Sequence, residues 1–273
     1  MAQATLSVDG HVHLYPIYDL TRAIENGHEN LMKNCNGKAG EKVVPVWQLT
    51  ERSDCAMFDE ISKSPAVFKK DGYEFIPHED GLTILVRKNS EPYLYIFAGR
   101  QLVASEGLEI LSLVSRLNIP DREKSIREIK QAIEDSGGIP TLNWAPGKWF
   151  FKRGQVIASL IYEYSADDAF IGETTLRHTL WPEPKLIKRA KQKGYSVIAG
   201  SDPLPFSGEE ETVGTFGFKI KGDFDSARPA RSFTKMMKAN RNSVELIGRR
   251  NNIFTFAGRQ YKIMAEKRTR ESR

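Results

Sequence analysis

The chain holds only two cysteines, Cys35 and Cys55, and five histidines among its 273 residues. Two thiols close at most one bridge, and these two lack metal-ligand spacing. A disulfide framework and a thiolate metal site are therefore excluded, and both cysteines read as reduced and structural. No apolar run approaches the roughly 18 residues that a bilayer span needs. The opening, MAQATLSVDG, lacks the basic start and apolar stretch of a secretion signal. The expectation is a cytoplasmic protein with no membrane partner. Serine and cysteine nucleophile signatures, dinucleotide-binding loops and phosphate-binding loops are missing too, each judged with the strand and helix context it requires. The pentapeptide FAGRQ occurs twice, at Phe97 to Gln101 and Phe256 to Gln260, but one pair at that separation is no periodic array.

What is present suits a folded enzyme-sized chain. With 40% hydrophobic and 27% charged residues it can bury a sizeable core. The net charge of +5 is unevenly spread. Residues 228–273 carry 13 Lys and Arg against 3 acids, a net of +10, which leaves the first 227 residues at −5. Such a segment can meet nucleic acid, although a solvated basic surface is the commoner explanation and no reading motif accompanies the charge.

Short apolar runs alternate with helix-period segments, the pattern of an α/β protein with a parallel sheet. The first strand, Leu6 to Tyr15, leads to Asp19 as N-cap of a helix marked by Leu20, Ala23, Ile24 and Leu31. KVVPVWQLT (Lys42 to Thr50) reads as the second strand, followed by a short helix through Met57, Phe58 and Ile61 that Ser53 or Asp54 would cap. Tyr73 to Phe97 reads as an antiparallel insertion, since EDG and KNSEP separate its β-rich runs. A helix over Asp121 to Ser136, strands at IPTLNW, AFIGE and YSVIAG, and helices between them complete the series. The expected division is a barrel-like domain over 1–227 and a basic extension over 228–273. That extension would hold a helix near Ser232 to Lys238, β runs at Val244 to Ile247 and Ile253 to Ile263, and a flexible end.

Ligands of parallel α/β folds bind beyond the carboxyl ends of the strands. His11, His13, Glu106, Asn143, Glu173 and Asp202 all fall at such positions. Residues two apart on a strand share a face, so His11 and His13 can place two imidazoles on one ion, with Asp9 of the same parity able to orient a ring. Asp202, directly after a buried strand, suits a metal ligand or a base for water, and Glu106 and Asp19 are further oxygen candidates. His13 and Asp202 are the expected catalytic pair. Lys148 and Arg153, at the head of a helix, and Arg177, after the next strand, point to a small anionic substrate. Asn143, Glu173 and His178 complete the expected substrate-binding set.

With VDGHVHLY in its first strand and IAGSDPLP at its last, the sequence resembles the PHP superfamily, metal-dependent phosphoesterases named for polymerase and histidinol phosphatase. The matches bracket Asp9 to Asp202. The resemblance implies an irregular β/α barrel, a divalent Mn, Fe or Zn cofactor, and phosphoester hydrolysis by metal-activated water. It assigns His11, His13, Asp19, Glu106 and Asp202 as metal ligands. Ala145 and Leu204 stand where that pattern has histidines. This leaves a one- or two-metal site, a site completed by Glu173 or His178, and a degenerate barrel that binds a ligand or nucleic acid as alternatives. The amidohydrolase superfamily, with its own DxHxH strand, is the neighbouring resemblance and would imply C–N bond hydrolysis.

Overall fold

A computed structural model describes residues 2–37 and 40–271. The α/β class is as expected, but among the described residues the strands make two sheets and no closed barrel. In chain order the elements are β1 (Ala2–Val12), α1 (Leu20–Cys35), β2 (Val43–Leu49), α2 (Met57–Lys63), β3 (Tyr73–Pro77), β4 (Thr83–Lys88), β5 (Glu91–Phe97), β6 (Gly99–Val103) and β7 (Glu109–Leu113). There follow α3 (Ile126–Asp135), β8 (Ile139–Asn143), α4 (Phe151–Glu163), β9 (Phe170–Thr174), α5 (Lys185–Gln192), β10 (Val197–Gly200), β11 (Phe216–Phe224), α6 (Pro229–Ala239), β12 (Glu245–Gly248) and α7 (Ile253–Glu271).

One sheet has seven strands in the order β12-β11-β1-β2-β5-β4-β3, the other five in the order β10-β9-β8-β7-β6. β1 runs parallel to β2 and antiparallel to β11, with Leu6 facing Val44 on one side and Ile220 on the other. β3, β4 and β5 run antiparallel to one another as expected, but they extend the seven-stranded sheet through β5, which pairs parallel with β2.

Three apolar cores follow from this layering. Between the sheets, Leu6, Val8, Val46, Leu111, Phe170, Ile198 and Phe218 interlock, and α6 closes the space with Phe233 stacked on Phe97 at 4.8 Å. Outside the five-stranded sheet, the stripes Ile126, Ile129 and Ile133 of α3, Ile157 and Leu160 of α4, and Ile187 of α5 cover Ile110, Leu142 and Ile171. Outside the other sheet, Ala23, Ile24 and Leu31 of α1 meet Trp47 and Leu49.

Caps decide where several helices start. Asp19 accepts from the Arg22 N–H as expected, and Ser125 with Glu128 forms a capping box that starts α3 later than the periodicity predicted. Neither Ser53 nor Asp54 caps α2. The buried carboxylate of Glu51 does so instead, accepting from the Phe58 N–H at 2.8 Å.

The run Ile253 to Ile263 is helix α7, not strand. Its apolar residues lie on both faces, so no helical stripe marks it, and IFTFA imitates strand composition. Residues 272 and 273, part of the expected flexible end, lie outside the described residues. No described helix is long and apolar enough to cross a membrane.

On α1, His28 stacks on Tyr93 with ring centroids 3.8 Å apart. Burial, with help from the Lys88 charge, pushes its pKa down to about 4. The folded value lies below the unfolded one, so the stability that neutral His28 contributes is present above about pH 6.5 and lost as pH falls towards 4. His28→Gln is expected to flatten part of the acid-side fall in the urea midpoint between pH 7 and 5. An unchanged slope would contradict this.

Candidate metal centre

The two sheets meet at a seam where β1 passes β10. Asp202 donates its backbone N–H to the His11 carbonyl at 2.9 Å, and Ser201 donates its own to the Asp9 carboxylate at 2.9 Å. A Cβ on Gly200 would lie 2.2 Å from the His11 nitrogen, so only glycine lets the strands come this close.

Asp9 is the brace of the seam. Fully buried, it accepts from Ser201 N–H, Ser201 Oγ–H, Gly214 N–H and His11 N–H. Burial pushes its pKa up to about 6, against the pull of those four hydrogen bonds. It therefore fixes backbone rather than orienting an imidazole, as the strand parity had suggested. The pairing of β1 with β2 slips between Asp9 and Val12, the stretch that holds His11, and His13 follows directly after the strand.

There the Nε2 atoms of His11 and His13 stand 3.0 Å apart, and Asp202 Oδ1 lies 3.6 Å from the first and 3.4 Å from the second. All three residues are buried, and among the described residues they form the one cluster able to hold a metal ion. Burial lowers the His11 pKa to about 4 although Asp202 opposes it, which keeps the imidazole a lone-pair donor. Burial works against the Asp202 charge, but the two histidines and Arg259 overcome it and hold the carboxyl ionised. Neither Nδ1 has a hydrogen-bond partner. Two buried ring nitrogens aimed at each other and at a carboxylate fit a divalent cation, which takes up all three lone pairs at once.

The remaining sequence candidates divide. Asn143 stands beside the His11 ring, its backbone carbonyl accepting from Trp149 Nε1. Asp19 caps α1 and Glu106 accepts from the Ile126 N–H at 3.1 Å, so neither joins the cluster. Glu173 and Arg177 are turned on each other: Nε donates at 2.8 Å, and Arg250 adds a second cation to the same carboxylate oxygen. His178 packs between Trp181 and Phe256 and supplies no ligand atom. Lys148 pairs with Glu109 at 3.0 Å, while Arg153 bonds the Gly107 and Gly147 carbonyls. Ala145 and Leu204 are both buried and add no donor.

Other residues at the site were not singled out from the sequence. Gln101 reaches the His11 ring, and Arg52 reaches Tyr15, whose ring lies 5.7 Å from that of His13. Arg52, Gln101 and Glu109 line one cavity of about 250 Å³ together with Ser53, Val103 and Asp121. Arg52 follows the end of β2, so the strand-end rule that picked His11 would have found it. Arg259 had no such signal, because its segment reads as a strand.

The fold has a solved counterpart. PsfC from Pseudomonas syringae PB-5123 superposes with a TM-score of 0.57 at 14% identity, over 91% of this chain and 92% of that one. A two-domain protein from Bacteroides vulgatus ATCC 8482, described as containing a predicted PHP-like metal-dependent phosphoesterase, gives a TM-score of 0.48 at 11% identity. That match spans 91% of this chain and 65% of the other. No protein-family model and no curated protein matches the sequence. The likeness to PsfC is one of fold.

Proposed function

We propose that this protein is a metal-dependent hydrolase whose preferred substrate is a small phosphoester. The observation that carries the reading is the convergence of His11 Nε2, His13 Nε2 and Asp202 Oδ1 at the strand ends. A divalent ion (Mn, Fe or Zn) bound there supplies Lewis acidity towards water and a phosphoryl oxygen. Three donors suit one ion rather than a larger cluster. His11, His13 and Asp202 Oδ1 would hold it, and Asp202 would balance its charge and offer Oδ2 as a proton acceptor for water.

Arg52 takes the anionic group in the adjoining cavity, because it is half-exposed there and its carboxylate partner, Asp54, is exposed. Lys148 is paired with Glu109 on the wall of that cavity, and Arg177 is committed to Glu173. Against a nucleic-acid role stands the inward use of the C-terminal charge. Arg241 bonds the Ala169 carbonyl, Arg250 pairs with Glu173, and Arg259 pairs with Glu209.

The test is turnover of p-nitrophenyl phosphate and p-nitroacetanilide with Mn, Fe(II) or Zn, before and after chelation. Phosphoester hydrolysis that chelation abolishes is expected, with Arg52→Ala raising KM by about 10-fold or more, the loss of one charge-assisted contact. Turnover of the amide alone would replace the reading by C–N hydrolysis. Metal-loaded protein inert to both would make it a binding protein.

A further inference from the structure

Arg259 is 3% exposed, on a helix whose outer face is open: Phe254 is 84% and Tyr261 70% exposed. The inner face of α7 carries Phe256, against His178 and Trp181, and one turn later Arg259. From there the guanidinium enters the seam. Nη2 donates to the backbone carbonyl of Asp202 at 2.6 Å and meets Glu209 Oε2 at 2.8 Å. Nη1 donates to Thr175 Oγ1 at 2.6 Å, and that hydroxyl donates in turn to the Ser201 carbonyl. One side chain thus ties down both carbonyls of the Ser201-Asp202 pair.

This matters because Asp202 has a φ of +51°, a left-handed conformation that is unfavourable for residues with a Cβ and that Asp adopts only occasionally. Relaxation of that backbone would swing the carboxylate away from the two Nε2 atoms. The Asp202 N–H is held by His11, and its carbonyl is held by Arg259. We infer that Arg259 is a positioning residue for the metal ligand Asp202, so that docking of α7 and occupancy of the metal site are thermodynamically linked. The inference rests on the metal reading above and adds the C-terminal helix to the site. Linkage is reciprocal: whatever factor docked α7 adds to metal affinity, bound metal adds to the docking of α7.

The experiment uses the full chain and its Arg259→Ala, Arg259→Lys and Lys262→Ala variants. Mn²⁺ and Zn²⁺ affinities, the visible spectrum of the Co²⁺ form, and trypsin cleavage within α7 with and without metal are measured. Arg259→Ala and Arg259→Lys are expected to bind metal about 10- to 100-fold more weakly, as for loss of other outer partners of metal ligands. Both variants should show an altered Co²⁺ spectrum. Metal should slow cleavage of α7 in the parent protein and not in Arg259→Ala, while Lys262→Ala stays within about twofold of the parent, as surface changes do. If Arg259→Ala does not fold, Arg259→Lys, which keeps the charge beside Glu209 but not the fork, carries the comparison. Parent-like affinity and spectrum in the Arg259 variants would overturn the positioning role and leave the metal reading standing. A parent protein that binds none of these ions would overturn the metal reading and the linkage with it.

Discussion

Asp202→Asn is expected to yield a folded protein that no longer retains stoichiometric metal and turns over phosphoesters no faster than buffer. Asn tolerates the left-handed backbone at this position, so the change isolates charge from conformation. Among the described residues Asp202 supplies the one carboxylate of the donor set, and its loss leaves the two imidazoles alone. Loss of an outer partner of a metal ligand costs about 10- to 100-fold in affinity, so loss of the charged ligand itself should exceed about 100-fold. Plasma mass spectrometry of the purified variant, read beside its circular dichroism, checks the prediction. His11→Ala should behave alike. Unchanged metal content and turnover in either variant would move the chemistry away from this seam.

Asp9→Ala should produce the largest loss of stability of any single change at the site. The carboxylate accepts four hydrogen bonds from both sides of the seam, and each buried donor left without an acceptor costs about 1–3 kcal/mol. Water entering the space satisfies some of them, so a fall of about 3–5 kcal/mol is expected, the range for breaking buried charged networks. That is a large part of the total stability of an ordinary domain. Urea unfolding followed by tryptophan fluorescence measures it. Asp9→Asn keeps the shape but turns an acceptor into a donor, and should fall between the parent and Asp9→Ala. A change below about 1 kcal/mol in Asp9→Ala would show that the seam is held by other contacts.

The two imidazoles were legible in the sequence because strand periodicity is simple: residues two apart share a face whatever lies around them. Asp202 was legible because its strand is short, apolar and followed at once by an acid. Glu106 satisfied the same positional rule yet serves a helix N-terminus, as Asp19 does, since a carboxylate near free N–H groups caps a helix as readily as it binds a cation. Arg177 and Glu173 were assigned separately to the substrate. Their separation of four residues brings them together, and a buried cation takes the nearest anion.

FAGRQ shows where local sequence stops deciding. At Phe97 to Gln101 it ends β5 and begins β6, with Gly99 pressed so close to the Leu49 carbonyl that a Cβ would sit 2.2 Å away. At Phe256 to Gln260 the same five residues are helical and deliver Arg259 to Asp202. Tertiary contacts choose between the two conformations, and the propensities of the five residues cannot. β5, parallel to β2, was read as part of the antiparallel insertion, but the other parallel strands were read from their apolar runs. The closing strand β11 was not, because TFGFKIKGDF follows a Pro-rich loop and runs antiparallel to β1, outside the alternating series.

The most direct test of the account is anomalous diffraction from crystals of the protein grown or soaked with Mn²⁺, Fe²⁺ or Zn²⁺, recorded on both sides of the absorption edge. One strong peak is expected within coordination distance of His11 Nε2, His13 Nε2 and Asp202 Oδ1. An ordered seam with no peak there, at metal concentrations that load other divalent-ion enzymes, would contradict it.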